Sequence, residues 1–301
     1  MNPTLSDNIW NILTCSYCGQ KLEKTNAGAV CPVCGSNYGY SKSGSLDLRL
    51  TQSKKYPADF ELGTPLLPAS GFQFDPLQSN SSPQVDFSGM EIPRHLSKQI
   101  LSYFPKAKSQ ESMMLDLGCG KAVHKDAAEH AGFEWVGLDY EALEAPIFGD
   151  AQALPFKDNS FEFILCVSVI QYVRFPFVMI REAQRVLKPG GRLIGTVAFL
   201  EPSHGTSFYH FTHLGTYNLL QHGGLTVEKI APSETWSSLK AQAGMGMFYG
   251  MPRSVARAMV YPLELLHKLW WRVAGLVKRQ PLENLRIRHF TGSFAFIASK
   301  P

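Results

Sequence analysis

Met113-Met114-Leu115-Asp116-Leu117-Gly118-Cys119-Gly120 is the stretch on which the fold turns. Residues that are apolar except for one acid run into two glycines with a single residue between them, and a helix-like stretch begins near Val123. A short apolar run bounded by glycine reads as a buried strand. A glycine-rich turn between strand and helix lets the backbone approach a ligand closely. The dinucleotide fingerprint G-x-G-x-x-G needs a third glycine at position 123, which is Val123, so the glycine pair by itself decides little.

The segments that follow add to it. Trp135-Val136-Gly137-Leu138-Asp139 reads as a second strand ending in an acid, 23 residues after Asp116, near the separation at which an acid grips ribose hydroxyls. Gly149-Asp150-Ala151-Gln152-Ala153-Leu154-Pro155-Phe156 is a loop with another acid. Ser160 to Val167 gives the next strand. Arg185-Val186-Leu187-Lys188-Pro189-Gly190-Gly191-Arg192-Leu193 ends a helix and turns into a strand reaching Phe199. Strands alternating with helices predict a doubly wound α/β sheet.

Taken in order, D-L-G-C-G, G-L-D, G-D-A-x-x-L-P-F and R-V-L-K-P-G-G resemble the class I S-adenosylmethionine-dependent methyltransferases with a type 11 methyltransferase domain, well over residues 113–200 and loosely beyond. The resemblance implies a Rossmann-like sheet of seven strands and S-adenosylmethionine as cofactor. It implies that Gly118 and Gly120 shape the loop under the methionine part, with Asp116 near the cationic sulfonium and amine. Asp139 takes the ribose hydroxyls, Asp150 accepts from the adenine amino group, and Ala151 completes the cofactor set. The sequence departs from the pattern twice. Only ten residues separate Asp139 from Asp150, so the helix and strand expected there must be abbreviated. Gln171 and Tyr172 stand where relatives often show an acid or histidine, so no acid–base role carries over to them.

Upstream, Cys15-Ser-Tyr-Cys18 and Cys31-Pro-Val-Cys34 are two C-x2-C pairs separated by 12 residues, each followed by glycine, at Gly19 and Gly35. Two such turns offer the tetrahedral four-thiolate set that structural zinc prefers, with no coordination position left open for catalysis. Two disulfides, or a ribbon without metal, are the alternatives. The expected organisation is a zinc ribbon over 1–50, a proline-rich linker over 51–92 and a methyltransferase domain over 93–301. Ile92, Leu96, Ile100 and Leu101 recur at helical spacing and predict a helix ending before Pro105.

Past the strand ending at Phe199 come Glu201-Pro202-Ser203-His204-Gly205 and Phe208-Tyr209-His210-Phe211-Thr212-His213-Leu214-Gly215. Ligands of such sheets bind beyond the carboxyl ends of the strands. A neutral histidine there can take a proton from an attacking hydroxyl or amine. His204 and His210 are the candidate catalytic residues, against the alternative that they are structural. The stretch resembles methyltransferases of glycan and polysaccharide biosynthesis, with P-x-H followed by Y-x-x-T-x-x-G. Cys119 and Cys166 read as packing residues, which argues against C5 methylation of pyrimidines.

Leu225–Ile230 and Phe294–Ala298 read as the last two strands, with a helical insertion at about 236–288 between them. Residues 254–279 form an apolar helix with a thin polar stripe, which Pro262 should kink or divide. It is a packed lid or dimer helix or, as Trp270 and Trp271 among Arg272, Lys278 and Arg279 suggest, a peripheral contact with an anionic membrane. The 301 residues are 45% hydrophobic and 18% charged, with a formal net charge of +4, which permits an anionic partner without demanding nucleic acid. No secretory signal pattern and no apolar run of about 18 residues are found, so a cytoplasmic protein is expected. The expected reaction is methylation of an oxygen or nitrogen on a small-molecule acceptor, a sugar or glycan intermediate. A zinc ribbon ahead of this domain also resembles rRNA guanine methyltransferases, so an RNA acceptor is the rival, and a cofactor-binding scaffold without turnover the third reading.

Overall fold

The computed structural model describes residues 5–57, 74–203 and 205–301. The chain enters through α1 (Asp7–Ile12), where the Ser6 hydroxyl accepts a hydrogen bond from the Ile9 amide and Ile9 and Trp10 are buried. Then β1 (Glu23–Thr25), β2 (Gly28–Val30) and β3 (Asn37–Gly39) form a small antiparallel sheet in that order. Gly28 is required there: at φ +145° a Cβ would lie 1.9 Å from the Tyr38 carbonyl oxygen. The next strand, β4 (Leu46–Asp47), leaves this sheet and joins the other.

The helix expected from Ile92 is shorter than its periodicity suggests: α2 spans only Lys98–Leu101. The Ser97 hydroxyl accepts from the Ile100 amide and starts the helix there, and His95 sits at φ +65°, which no continuing helix allows. Ahead of it, the side chain of Phe74 is buried and its ring lies 4.1 Å from that of His213.

The rest alternates as the motifs predict. In chain order come β5 (Met113–Leu117), α3 (Lys125–His130), β6 (Glu134–Asp139), β7 (Ile147–Phe148), β8 (Phe161–Val167), α4 (Pro176–Val186), β9 (Leu187–Ala198), α5 (His213–His222) and β10 (Thr226–Pro232). Then α6 (Ser238–Gln242), α7 (Arg253–Lys278) and α8 (Glu283–Phe290) precede β11 (Ser293–Ser299). Among the described residues the main sheet has eight strands in the order β10-β11-β9-β8-β5-β6-β7-β4. Only β11 runs antiparallel to its neighbours. The expected seven are thus joined by an eighth, β4, which pairs parallel with β7 through Leu46↔Ile147 and Asp47↔Phe148. No helix separates β6 from β7, which is how the ten-residue gap is met.

The cysteine-bearing segment shares its core with the sheet. Leu13, Leu46 and Leu48 are fully buried in one apolar cluster with Leu115, Leu138 and Ile147. Thr14 donates to the Pro155 carbonyl and Lys157 to that of Ile12, at 2.9 Å each. On the opposite face Ile100, Phe104 and Ala128 pack against Phe163 and Ile297. The segment between β10 and β11 leaves beside Ala198, since Ser293 pairs with Ala198 and Phe294 with both Val197 and Pro232. It therefore emerges at the carboxyl end of the parallel strands. Pro262 does not divide α7, which runs unbroken from Arg253 to Lys278.

Candidate functional site

The glycine turn after β5 is built by its neighbours. Gly118 has φ +74°, and a Cβ on it would fall 2.3 Å from Val169 Cγ2, so only glycine fits. Gly120, at φ +52°, meets nothing within 4 Å of where a Cβ would stand, leaving open space above the turn. The Gly118 amide donates to the Leu138 carbonyl at 2.8 Å, tying the turn to β6.

Asp139 ends β6 and organises this corner. One carboxylate oxygen accepts from the Gly120 amide at 3.0 Å, and the other from the amides of Glu141 and Ala142 at 3.1 Å. Three backbone donors thus fix a half-buried carboxylate beside the glycine turn. Its carbonyl accepts from Gly149 at 2.9 Å, which brings Asp150, just past β7, alongside. Asp150 accepts from the backbone and side-chain amides of Gln152 at 2.8 and 3.0 Å. Ala151 packs at the edge of the core.

Asp116 departs from expectation. Its carboxylate is buried, with 1% exposure, rather than facing the open side of the turn. One oxygen accepts from Trp135 Nε1 at 3.2 Å, and the other lies 3.4 Å from His124 Nδ1. His124 Nε2 faces the Arg94 carbonyl at 3.2 Å, so both ring nitrogens point at acceptors. Burial pulls the His124 pKa down, but the Asp116 carboxylate and the Arg94 carbonyl outweigh it and leave the pKa raised. Asp116 is the floor of the turn. Sequence spacing could not show this, because it does not reveal which side of a strand meets a histidine eight residues on.

Another contributor comes from the end of the cysteine segment, where nothing in the sequence signals a contact with this corner. Arg49, two residues past β4, forms an ion pair with Asp47 at 2.6 Å and donates to the Tyr140 carbonyl at 3.0 Å. Its guanidinium stacks 5.0 Å from the Phe148 ring centre and 5.5 Å from that of Tyr140. The cysteine segment thereby walls the outer side of the Asp139–Asp150 corner. Two hollows of about 600 and 510 Å³ also lie beside this segment, lined by Tyr38 and Arg49 in one and by Cys15 and Arg185 in the other. Neither is lined by the glycine turn.

The four N-terminal cysteines converge. Their sulfurs all lie within 4.8 Å of one another, with Cys15–Cys34, Cys18–Cys31 and Cys18–Cys34 at 3.5 Å. These separations are far beyond the roughly 2.05 Å of a disulfide, and all four thiols are free. Both turns have one geometry: Gly19 and Gly35 sit at φ +74°, and their amides donate at 2.9 Å to the carbonyls of Cys15 and Cys31. Hydrogen bonds from Ser36 lower the Cys34 pKa, while burial and the neighbouring sulfurs raise that of Cys18, so the four thiols do not ionise alike. By contrast Cys119 and Cys166 are buried and burial raises both, as expected of packing residues.

At the end of β9, the segment from 205 crosses the strand ends. Phe208 and Tyr209 amides both donate to the Gln171 carbonyl, at 2.7 and 3.2 Å, and Phe211 to that of Ala198 at 2.9 Å. His210 is exposed and its Nδ1 donates to the Phe199 carbonyl at 3.0 Å. His204 lies outside the described residues. The Y-x-x-T-x-x-G spacing has a local cause: Thr212 caps α5, accepting from the Gly215 amide at 3.0 Å. His213 packs against Phe74 and Phe294, and burial lowers its pKa.

Residues 115–195 match the family model of a methyltransferase domain. A demethylmenaquinone methyltransferase of Renibacterium salmoninarum is 33% identical over 103 residues, covering 31% of this chain and 43% of that protein. An 18S rRNA (guanine-N(7))-methyltransferase of Mus musculus is 27% identical over 96 residues, covering 28% of this chain and 34% of that one. The chain thus spans less than half the length of these relatives. An S-adenosylmethionine dependent methyltransferase structure from Mesorhizobium loti is 16% identical, with TM-score 0.42, over 67% of this chain and 95% of that one. Residues 115–195 thus belong to a methyltransferase domain of the S-adenosylmethionine-dependent class.

Proposed function

We propose that the protein binds S-adenosylmethionine at the corner between β5, β6 and β7 and transfers its methyl group to a small-molecule acceptor. The observation that carries this reading is Asp139, a carboxylate fixed by three backbone amides beside a glycine turn with open space above it. When bound, the cofactor supplies an electrophilic methyl group on a sulfonium.

The chain's part is mainly to position the reactants, which can supply most of such a rate enhancement. Asp139 takes the ribose hydroxyls, and Asp150 with Ala151 borders the adenine. Gly118 lets the turn pass tightly over Val169, and Gly120 leaves space above it for the methionine part. Asp116 acts from beneath, holding Trp135 and His124 under the turn. On the acceptor side Phe208 and Tyr209 are exposed and offer aromatic surface for a sugar ring. His204 receives the acceptor proton, with His210 the alternative base. In the N-terminal segment four thiols fit zinc, since a tetrahedral site with Zn–S near 2.3 Å has sulfurs about 3.8 Å apart. That site is filled by protein ligands and is structural, and thiols kept reduced suit a cytoplasmic compartment.

The test is transfer of labelled methyl groups into a cell extract, with and without ribonuclease. Label in the low-molecular-weight fraction, insensitive to ribonuclease, is expected. Label lost with ribonuclease would assign an RNA acceptor instead, and no transfer at all would leave a cofactor-binding scaffold. With the acceptor in hand, His204→Ala should slow turnover by roughly 10²–10⁴-fold if it is the base.

A further inference from the structure

The helix α7 is turned inside out. Its inward side is narrow, with Ala256 and Val260 packed on Ala243, and Glu264 buried against Ser237 and Lys240. Further along, His267 and Trp271 meet Phe290 of α8. The apolar side faces out. Met259, Leu263, Leu266, Trp270, Val273 and Val277 are 45–79% exposed. At about 100° per residue these positions fall on one arc, and at 1.5 Å per residue the stripe is roughly 30 Å long. A globular protein in water does not leave such a stripe bare without a use for it.

The charges of the helix say what meets it. Lys268 and Arg272 lie on the face opposite the stripe, Arg253 and Lys278 lie about 100–120° round from its centre, and Arg279 caps the helix. The helix carries a single acid, the buried Glu264. A second copy pressed onto this stripe would bring together two helices that each carry Arg253, Arg257, Lys268, Arg272 and Lys278, with no exposed acid on either to pair with them. An anionic surface answers both features, since it takes the apolar stripe and attracts a helix whose polar face is basic. No helix among the described residues is long and apolar enough to cross a membrane.

We propose that α7 lies flat in the interface of an anionic lipid bilayer, with Leu263, Leu266, Trp270 and Val273 in the acyl boundary and its basic polar face toward the headgroups and water. This is the behaviour of an interfacial amphipathic helix. Because the segment between β10 and β11 emerges at the carboxyl ends of the parallel strands, the bilayer would stand beside the end of the sheet that carries Asp139 and the 205–213 segment. The placement does not depend on the methyl-transfer reading.

Vesicle flotation of the full chain tests it, using phosphatidylcholine vesicles with and without phosphatidylglycerol, together with tryptophan emission. The protein should float with the mixed vesicles, far less with pure phosphatidylcholine, and release in high salt. Its emission should shift to the blue, and Trp270→Phe should lose most of that shift. Leu266→Glu should weaken partition roughly ten-fold or more. Arg272→Gln should weaken it about five-fold. Both sites are exposed, so melting midpoints should be unchanged. Failure to float with anionic vesicles would overturn the proposal. So would a lipid-free dimer that Leu266→Glu splits, which would assign the stripe to a second copy of the chain.

Discussion

Residues 5–50 and residues 233–292 are both additions to one parallel sheet, and they place their apolar residues on opposite sides. The first puts Leu13, Leu46 and Leu48 inside the sheet's own core and extends its edge by a strand. The second touches the sheet end through a few residues and keeps Leu263, Leu266 and Trp270 in solvent. A segment can be small yet belong to the core when backbone pairing and buried leucines join it. A long helix can remain peripheral when its inward side is narrow and packs only on its own neighbouring helices. The difference separates an element that holds the fold from one available to bind something else.

The sharpest way to break that contrast is to remove the metal site. Cys31→Ser, or a strong chelator, should unfold the cysteine segment, because metal binding is folding free energy in so small a unit. If the segment is continuous with the sheet, the whole domain should weaken with it, its melting midpoint falling by roughly 10 °C or more. A midpoint that stays put while the segment unfolds would show two independent units. A smaller effect is expected from Leu48→Ala, which empties a fully buried position and should cost about 2–5 kcal/mol. In α7, Leu266→Ala should leave stability nearly unchanged.

The smallest effect concerns His124. Its pKa is raised in the fold, so its contribution is present below the ordinary histidine pKa of about 6.5. That contribution is lost as pH rises through the raised value. Stability should therefore decline through neutral pH, and His124→Gln should remove that part of the decline. A wild-type and variant pair with the same pH profile would mean that the Asp116–His124 contact does not hold the turn together.

Much of this was legible in residues 113–200, where each strand ends in a motif whose spacing is set by local geometry. The cysteine pairs were equally plain, since the glycine after each pair closes the turn. Other features depend on contacts that sequence does not order. Leu46 and Asp47 pair with Ile147 and Phe148 about a hundred positions away, and a two-residue strand has no periodicity to betray it. Arg49 stacks on the site for the same reason. Periodicity identified the apolar stripe of α7 but cannot say whether a stripe faces the core or solvent. The burial of Asp116 rests on His124, which lies in none of the motifs, and on Trp135, whose place at the start of a strand does not reveal where its ring points.

Calorimetric titration with S-adenosylhomocysteine tests the central claim most directly, comparing the native chain with Asp139→Ala and Asp139→Asn. The native chain should bind one equivalent. Asp139→Ala, which loses charge-assisted hydrogen bonds of about 1.5–3 kcal/mol each, should bind at least ~10²-fold more weakly. Asp139→Asn keeps an acceptor for the turn amides and should fall between the two. Affinity unchanged in Asp139→Ala, or no binding by the native chain, would contradict the placement of the cofactor at this corner.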